Sequence, residues 1–156
     1  MEEIFIPILL GTARKNRQSE KVARFILAEA EKYAKFKSEL IDVRDFMGNQ
    51  ETAAMDSGKS KKWSDIMMRA DGLIIVSPEY NNCYPGELKI MLDEIYEEYS
   101  RKPVGMCGVS SGSLGGARMI EILRTTAIAL QMTPINKTLY FSNVNNLFDE
   151  DGTMKN

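Results

Sequence analysis

The chain has 156 residues, 44% of them hydrophobic and 27% charged, with a formal net charge of −2. That size and apolar content match one globular domain over residues 1–156 with enough surface to bury a core. The near-neutral balance, without a Lys/Arg stripe, removes the electrostatic case for nucleic acid or an anionic membrane as a partner.

Histidine is absent, so the usual base of nucleophilic triads and the commonest ligand of catalytic zinc are both missing. Cys83 and Cys107 make neither a metal cluster nor a disulfide framework, and no metal site is expected. The opening MEEIFIPILL is acidic before a short apolar stretch, unlike a secretory signal. No segment approaches the roughly 18 unbroken apolar residues of a membrane span. The expected location is the cytoplasm. Any difficult chemistry is expected from a bound organic cofactor.

In chain order, residues 4–10 (IFIPILL) read as a strand stopped by Gly11, followed by a polar loop. From Ser19, the residues Val22, Ala23, Ile26, Leu27, Ala30, Tyr33 and Ala34 recur at helical spacing. Residues 37–43 (KSELIDV) predict a second strand. Residues 44–60 lack periodicity and read as a long loop, after which Trp63, Ile66 and Met67 predict a short helix. Residues 71–77 (DGLIIVS) are nearly all apolar, as in a central parallel strand. Leu88, Met91, Leu92, Ile95 and Tyr96 mark the next helix, residues 103–110 (PVGMCGVS) the fourth strand, and Ile120, Leu123, Ala127 and Leu130 its helix. Residues 133–142 contain the fifth strand.

Such alternation implies right-handed crossovers and a parallel sheet covered on both faces, with ligands bound beyond the carboxyl ends of the strands. Three loops qualify by position: 11–19, 77–86 and 110–118. The first, GTARKNRQS, places hydroxyls, an amide and two guanidinium groups before a helix N-terminus, which suits a phosphate; a solvated loop with a hydroxyl cap is the plain alternative. It is neither a Walker A loop nor a dinucleotide fingerprint. SSGSLGGAR, at 110–118, either lets the backbone approach a flat ligand or is simply a flexible connection. The second loop, SPEYNNCYPGELK at 77–89, is longer, stiffer and more polar than a strand-to-helix turn needs.

G-[ST]-x-R near residue 11, S-P-E-Y-N-x-x-x-P-G-x-L-K at 77–89 and S-x-G-x-x-G-G at 110–116 together resemble the NADPH-dependent FMN reductases, a group that includes azobenzene, quinone and chromate reductases. The match runs from about residue 4 to about residue 140. The resemblance implies an α/β flavodoxin-like sandwich with a five-stranded parallel sheet of order 2-1-3-4-5. It places Thr12, Arg14, Arg17, Gln18 and Ser19 in the phosphate-binding loop. It sets Pro78, Glu79, Tyr80 and Asn81 against the flavin edge, and Ser111, Gly112, Gly115 and Gly116 at the pyrimidine side of the ring. Glu79 is then a structural loop residue, Cys83 incidental and Cys107 core.

The implied activity is transfer of a hydride from NADPH or NADH through FMN to a small acceptor (a quinone, azo compound, free flavin or metal oxyanion) by ping-pong turnover. The flavin N5 would carry the chemistry, and no side chain need act as a base. A flavodoxin-like electron carrier or redox sensor without nicotinamide turnover is the alternative, and a scaffold domain without flavin a third; Arg14 and Arg17 favour the reductase. Family members commonly continue past a segment like FDEDG into a last helix, whereas this sequence stops at Asn156. Apolar sheet surface beside the fifth strand is therefore expected to be uncovered, and a homodimer or homotetramer is expected to bury it; Tyr96 and Tyr99 form either an amphipathic face at that contact or a solvated helix end.

Overall fold

Pro7 divides the first apolar run, because proline has no N–H to give to a neighbouring strand. A computed structural model of the chain describes residues 3–47 and 58–155. In it the run forms β1 (Ile4–Phe5) and β2 (Ile8–Leu10), and the second strand divides opposite it into β3 (Phe36–Lys37) and β4 (Leu40–Asp42). The break is local: the Ile6 amide still donates to the Lys37 carbonyl and the Ile8 amide to that of Glu39, both at 2.9 Å. On the opposite edge the Asp71 carboxylate accepts the Phe5 amide at 2.8 Å.

The remaining strands are β5 (Leu73–Pro78), β6 (Pro103–Val109) and β7 (Thr133–Phe141), and the helices are α1 (Ser19–Ala30), α2 (Gly58–Arg69), α3 (Gly86–Asp93) and α4 (Ala117–Ala129). The five-stranded sheet runs β4-β2-β5-β6-β7, all parallel, which is 2-1-3-4-5 when its strands are numbered by themselves. The aperiodic stretch 44–60 is shorter as a loop than expected. Residues 43–46 form a 3₁₀ turn and α2 begins at Gly58, while 48–57 lie outside the described residues. No helix among the described residues is long and apolar enough to cross a membrane.

Period-two alternation sends successive strand residues into two cores. Leu9, Leu73, Ile75, Val104 and Met106 meet the apolar stripes of α2, α3 and α4. Ile8, Leu10, Val76, Cys107 and Val109 face α1, where they join Val22, Ala23 and Ile26. Burial disfavours the thiolate, so the Cys107 thiol is pushed up to about 12 and is inert, as a core cysteine should be.

Tyr99 is not a surface residue. It is fully buried, and its hydroxyl accepts a hydrogen bond from Trp63 Nε1 at 2.6 Å. The expected subunit contact fails at that position because an aromatic ring on the 3₁₀ turn Glu97–Tyr99 fills the core beside α2. Tyr96 does reach the surface, where its hydroxyl accepts from Gln131 Nε2 at 3.0 Å.

The segment after β7 covers part of the α1 face. Phe148 packs edge-on against Phe25, at 6.3 Å between ring centroids, and Val144 and Phe148 are buried with Phe141. Farther along β7, Ile135, Leu139 and Tyr140 stay 44%, 49% and 48% exposed. The expected uncovered apolar surface is thus present on β7, but the end of the strand at Phe141 is closed over.

Candidate functional site

All three loops singled out by position meet in one cavity of about 220 Å³ at the carboxyl ends of β2, β5 and β6. Arg14, Asn16, Arg17, Gln18 and Ser19 form one wall, and Pro78, Glu79 and Tyr80 a second. Val109, Ser110 and Ser111 form a third, and Val144 and Asn145 close the remaining side.

At the floor lies the N-terminus of α1. Gln18 occupies the cap position without making a side-chain cap, and the Glu20 and Lys21 amides turn back to the Arg17 and Gln18 carbonyls in a tight first turn. Ser19 is 2% exposed, and its Oγ is buried without a hydrogen-bond partner. A buried hydroxyl left unpaired costs about 1–3 kcal/mol. Combined with a positive helix end, it describes a cradle that an anion would complete. The Arg14 guanidinium stands beside this cradle, exposed, with its Cζ 4.8 Å from the centre of the Tyr80 ring.

Arg17 departs from the expectation of a phosphate ligand. Its side chain is buried, and its guanidinium donates to both carboxylate oxygens of Asp42, to Glu20 Oε2 and to the Thr12 carbonyl. The physical reason is the proximity of β4: Asp42 ends that strand directly beside the loop and takes the fork. Burial opposes the charge on Arg17, but the hydrogen bonds and charges of Asp42 and Glu20 outweigh it and raise its pKa, so it stays a cation. Burial likewise works against an ionised Asp42, and the hydrogen bond from Arg17, the Arg44 amide and both positive charges hold it below its ordinary value. Glu20 is also held low, chiefly by hydrogen bonding from Arg24.

Thr12 departs too. It is fully buried, and its hydroxyl bonds Tyr80 and Glu87 instead of lining the cavity.

In the second loop, Asn81 and Asn82 have φ of 51° and 67°, and Tyr80 and Cys83 exchange amide–carbonyl bonds of 2.8 and 3.0 Å. This is a two-residue turn of the I′ type, for which asparagine is suited because it tolerates the left-handed region. Asn81 is exposed at the tip and does not line the cavity. Glu79 reaches away from the cavity floor to accept the Met119 amide at 3.2 Å, capping α4, which has only Gly116 at its own cap position. Arg118 lies 3.9 Å from Glu79 and donates to Asn82 Oδ1 at 3.0 Å, so the second and third loops are tied together.

The glycines of the third loop serve packing. Gly115 and Gly116 have φ of 59° and 86°, and a Cβ at Gly115 would lie 2.8 Å from that of Tyr140. Gly108 has the same constraint from the other side, since its Cβ would meet the Gly115 carbonyl at 2.4 Å. Gly112 is exposed, and its carbonyl accepts from the Ser110 hydroxyl and the Asn143 amide. Of this loop's candidates only Ser111 lines the cavity.

Asn16, Ser110, Val144 and Asn145 belong to the cavity without having been singled out by any motif. Asn16, at φ 54°, carries a weak signal because asparagine is one of the few residues at ease there. The loop after the fifth strand was open to the positional rule that selected the other three.

A parallel sheet of this order with an anion cradle at its carboxyl ends defines a flavodoxin-like cofactor-binding protein. The chain matches the NADPH-dependent FMN reductase family over residues 5–146 and belongs to it. A quinone reductase of Pseudomonas putida is 26% identical across 99% of this chain and 87% of its own. An NADPH azoreductase of a Bacillus species is 28% identical across 83% and 72%. The solved structure of FerB, a flavoenzyme NAD(P)H:(acceptor) oxidoreductase from Paracoccus denitrificans, has the same fold at 20% identity, with a TM-score of 0.83 over 98% of this chain and 87% of that one.

The Arg17 cluster sets an acid limit on the site. The folded-state pKa values of Asp42 and Glu20 are lowered, so their contribution is complete above the ordinary carboxylate range near pH ~4 and is lost as pH falls through the folded values. Thermal melts from pH 7 to 3 are expected to show stability falling below about pH 4, and Asp42→Asn, less stable at pH 7, should show a shallower acid limb. An unchanged limb in the variant would remove Asp42 from the account.

Proposed function

We propose that the protein is an FMN-dependent NAD(P)H oxidoreductase serving a small-molecule acceptor such as a quinone, azo compound, free flavin or metal oxyanion. The observation that carries this is the orphaned Ser19 hydroxyl at the uncapped N-terminus of α1, inside the cavity where the loops meet. That chemistry fits the phosphate of FMN, and family membership supports the same cofactor and donor.

When bound, FMN supplies the two-electron chemistry, taking a hydride from the nicotinamide and returning the electrons to the acceptor. The chain's own groups do the rest. Ser19 Oγ, the positive end of α1 and the Arg14 guanidinium would hold the phosphate dianion, with Asn16 and Gln18 beside them. Arg17 keeps the loop in place from beneath. The walls at Pro78–Tyr80 and Ser110–Ser111 would border the flavin, and the rigid turn at Asn81–Asn82 holds the first of these walls still. We further infer a single domain over residues 1–156 acting in the cytoplasm, where reduced nicotinamides are the common currency of reduction.

A homodimer or homotetramer is part of the same proposal, supported by exposed Ile135, Leu139 and Tyr140 on β7. Sedimentation at micromolar concentration should show no monomer, and a monomeric holoprotein would overturn it.

Arg14→Ala should weaken FMN by about 2 kcal/mol, roughly thirtyfold, through loss of one charge-assisted contact, while riboflavin, which lacks the phosphate, binds the variant and the parent alike. Equal weakening of both ligands would make Arg14 a residue of the fold.

Anaerobic NADPH or NADH alone should bleach the bound flavin, and a quinone or azo dye should restore its colour. A flavin reduced by dithionite but by neither nicotinamide would identify an electron carrier instead.

A further inference from the structure

The buried hydroxyl of Thr12 has every hydrogen-bonding capacity in use. A threonine hydroxyl offers one proton and two lone pairs. The Thr12 hydroxyl donates its proton to Glu87 Oε1 at 3.1 Å. The Tyr80 hydroxyl, 2.9 Å from the same oxygen, must then be the donor in that contact, and the Arg14 amide approaches the oxygen as a second donor at 3.3 Å. Glu87 Oε1 also accepts the Ala13 amide at 2.8 Å. Nothing is left on the Thr12 hydroxyl for a phosphate.

We propose that Glu87 is a positioning residue for the phosphate site, acting through Thr12 on both walls of the cavity. The proposal rests on the FMN reading of that cavity. Glu87 stands in the first turn of α3, outside the cavity, where the helix N-terminus favours a carboxylate. From there one oxygen fixes the Ala13 amide and the Thr12 hydroxyl of the first loop, and Thr12 in turn fixes the Tyr80 hydroxyl of the second. The orientation of the Tyr80 ring sets the surface against which the Arg14 guanidinium rests. The anion-facing cation is therefore placed by a chain of contacts that starts at α3, and the site is held ready before any ligand arrives. Preorganisation of this kind raises affinity by removing the ordering cost from the binding step.

Fluorescence titration with FMN and with riboflavin tests this in the parent, Glu87→Ala, Glu87→Gln, Thr12→Val, Tyr80→Phe and the Tyr80→Phe/Glu87→Ala double variant. Glu87→Ala and Thr12→Val should each weaken FMN by about tenfold and riboflavin by clearly less, because the Arg14 cation that the chain of bonds places meets only the phosphate, while the Tyr80 wall is shared by both ligands. Glu87→Gln keeps an acceptor oxygen and should stay within about threefold of the parent. The double variant should lose less than the product of its two single losses, since both act through Thr12. Tyr80→Phe deletes one hydroxyl and carries the test if Glu87→Ala does not fold. FMN affinity unchanged in Glu87→Ala, Thr12→Val and Tyr80→Phe, equal weakening of riboflavin, or multiplicative losses in the double variant would overturn the proposal while the parent still binds FMN. A parent that binds no FMN would overturn the reading of the cavity itself, and this proposal with it.

Discussion

A guanidinium buried under the first loop is the constraint on which the site depends. Taking a charge from water costs several kcal/mol, and attraction offsets this only where geometry and hydrogen bonding are nearly complete. Arg17 meets that condition with Asp42, Glu20 and the Thr12 carbonyl, which belong to β4, α1 and the loop itself. The loop therefore cannot shift without exposing an unpaired charge. Its neighbours follow: α1 begins just after Arg17, and Ser19, whose buried hydroxyl is unsatisfied, lines the cavity.

Two further carboxylates join the loops to one another. Glu79 caps α4 from just beyond the central strand β5, and Glu87 binds the first loop from the first turn of α3. Each acid satisfies backbone amides that the local sequence leaves without a partner, and each connects two loops distant in the chain. The result is a cavity whose walls are joined to one another by protein groups, which suits a protein that must hold a flat cofactor with one face open. The absence of histidine is consistent with this division of labour, in which the chain positions and the cofactor reacts.

The glycine-rich third loop illustrates how one feature can satisfy two explanations. Gly115 and Gly116 sit where a flavin-binding loop is expected, yet their left-handed backbone and the 2.8 Å approach to Tyr140 show them already required by packing on β7. Their contribution to the site is to bring Ser110 and Ser111 to its edge.

Much of this architecture was legible from residue order alone. Apolar runs of strand length alternating with helical stripes dictate a parallel sheet, because consecutive crossovers of one hand leave few other arrangements. The loops at 11–19, 77–86 and 110–118 were marked by composition, and they meet as expected. Pro7 broke its strand for a reason visible in the sequence, although the matching break between β3 and β4 appears only once the strands pair. What tertiary structure alone decided is the direction in which each polar side chain points. Arg14 and Arg17 look alike in the sequence, but Asp42 arrives from another strand and claims Arg17. Thr12 and Ser19 are both hydroxyls of the segment 11–19, but only Thr12 meets Glu87 and Tyr80. Tyr99 resembles a surface aromatic until Trp63 packs against it. Hydrophobic periodicity is a local property and can be read along the chain, whereas the partner of a buried polar group is whichever group the fold brings within about 3 Å, often from many residues away.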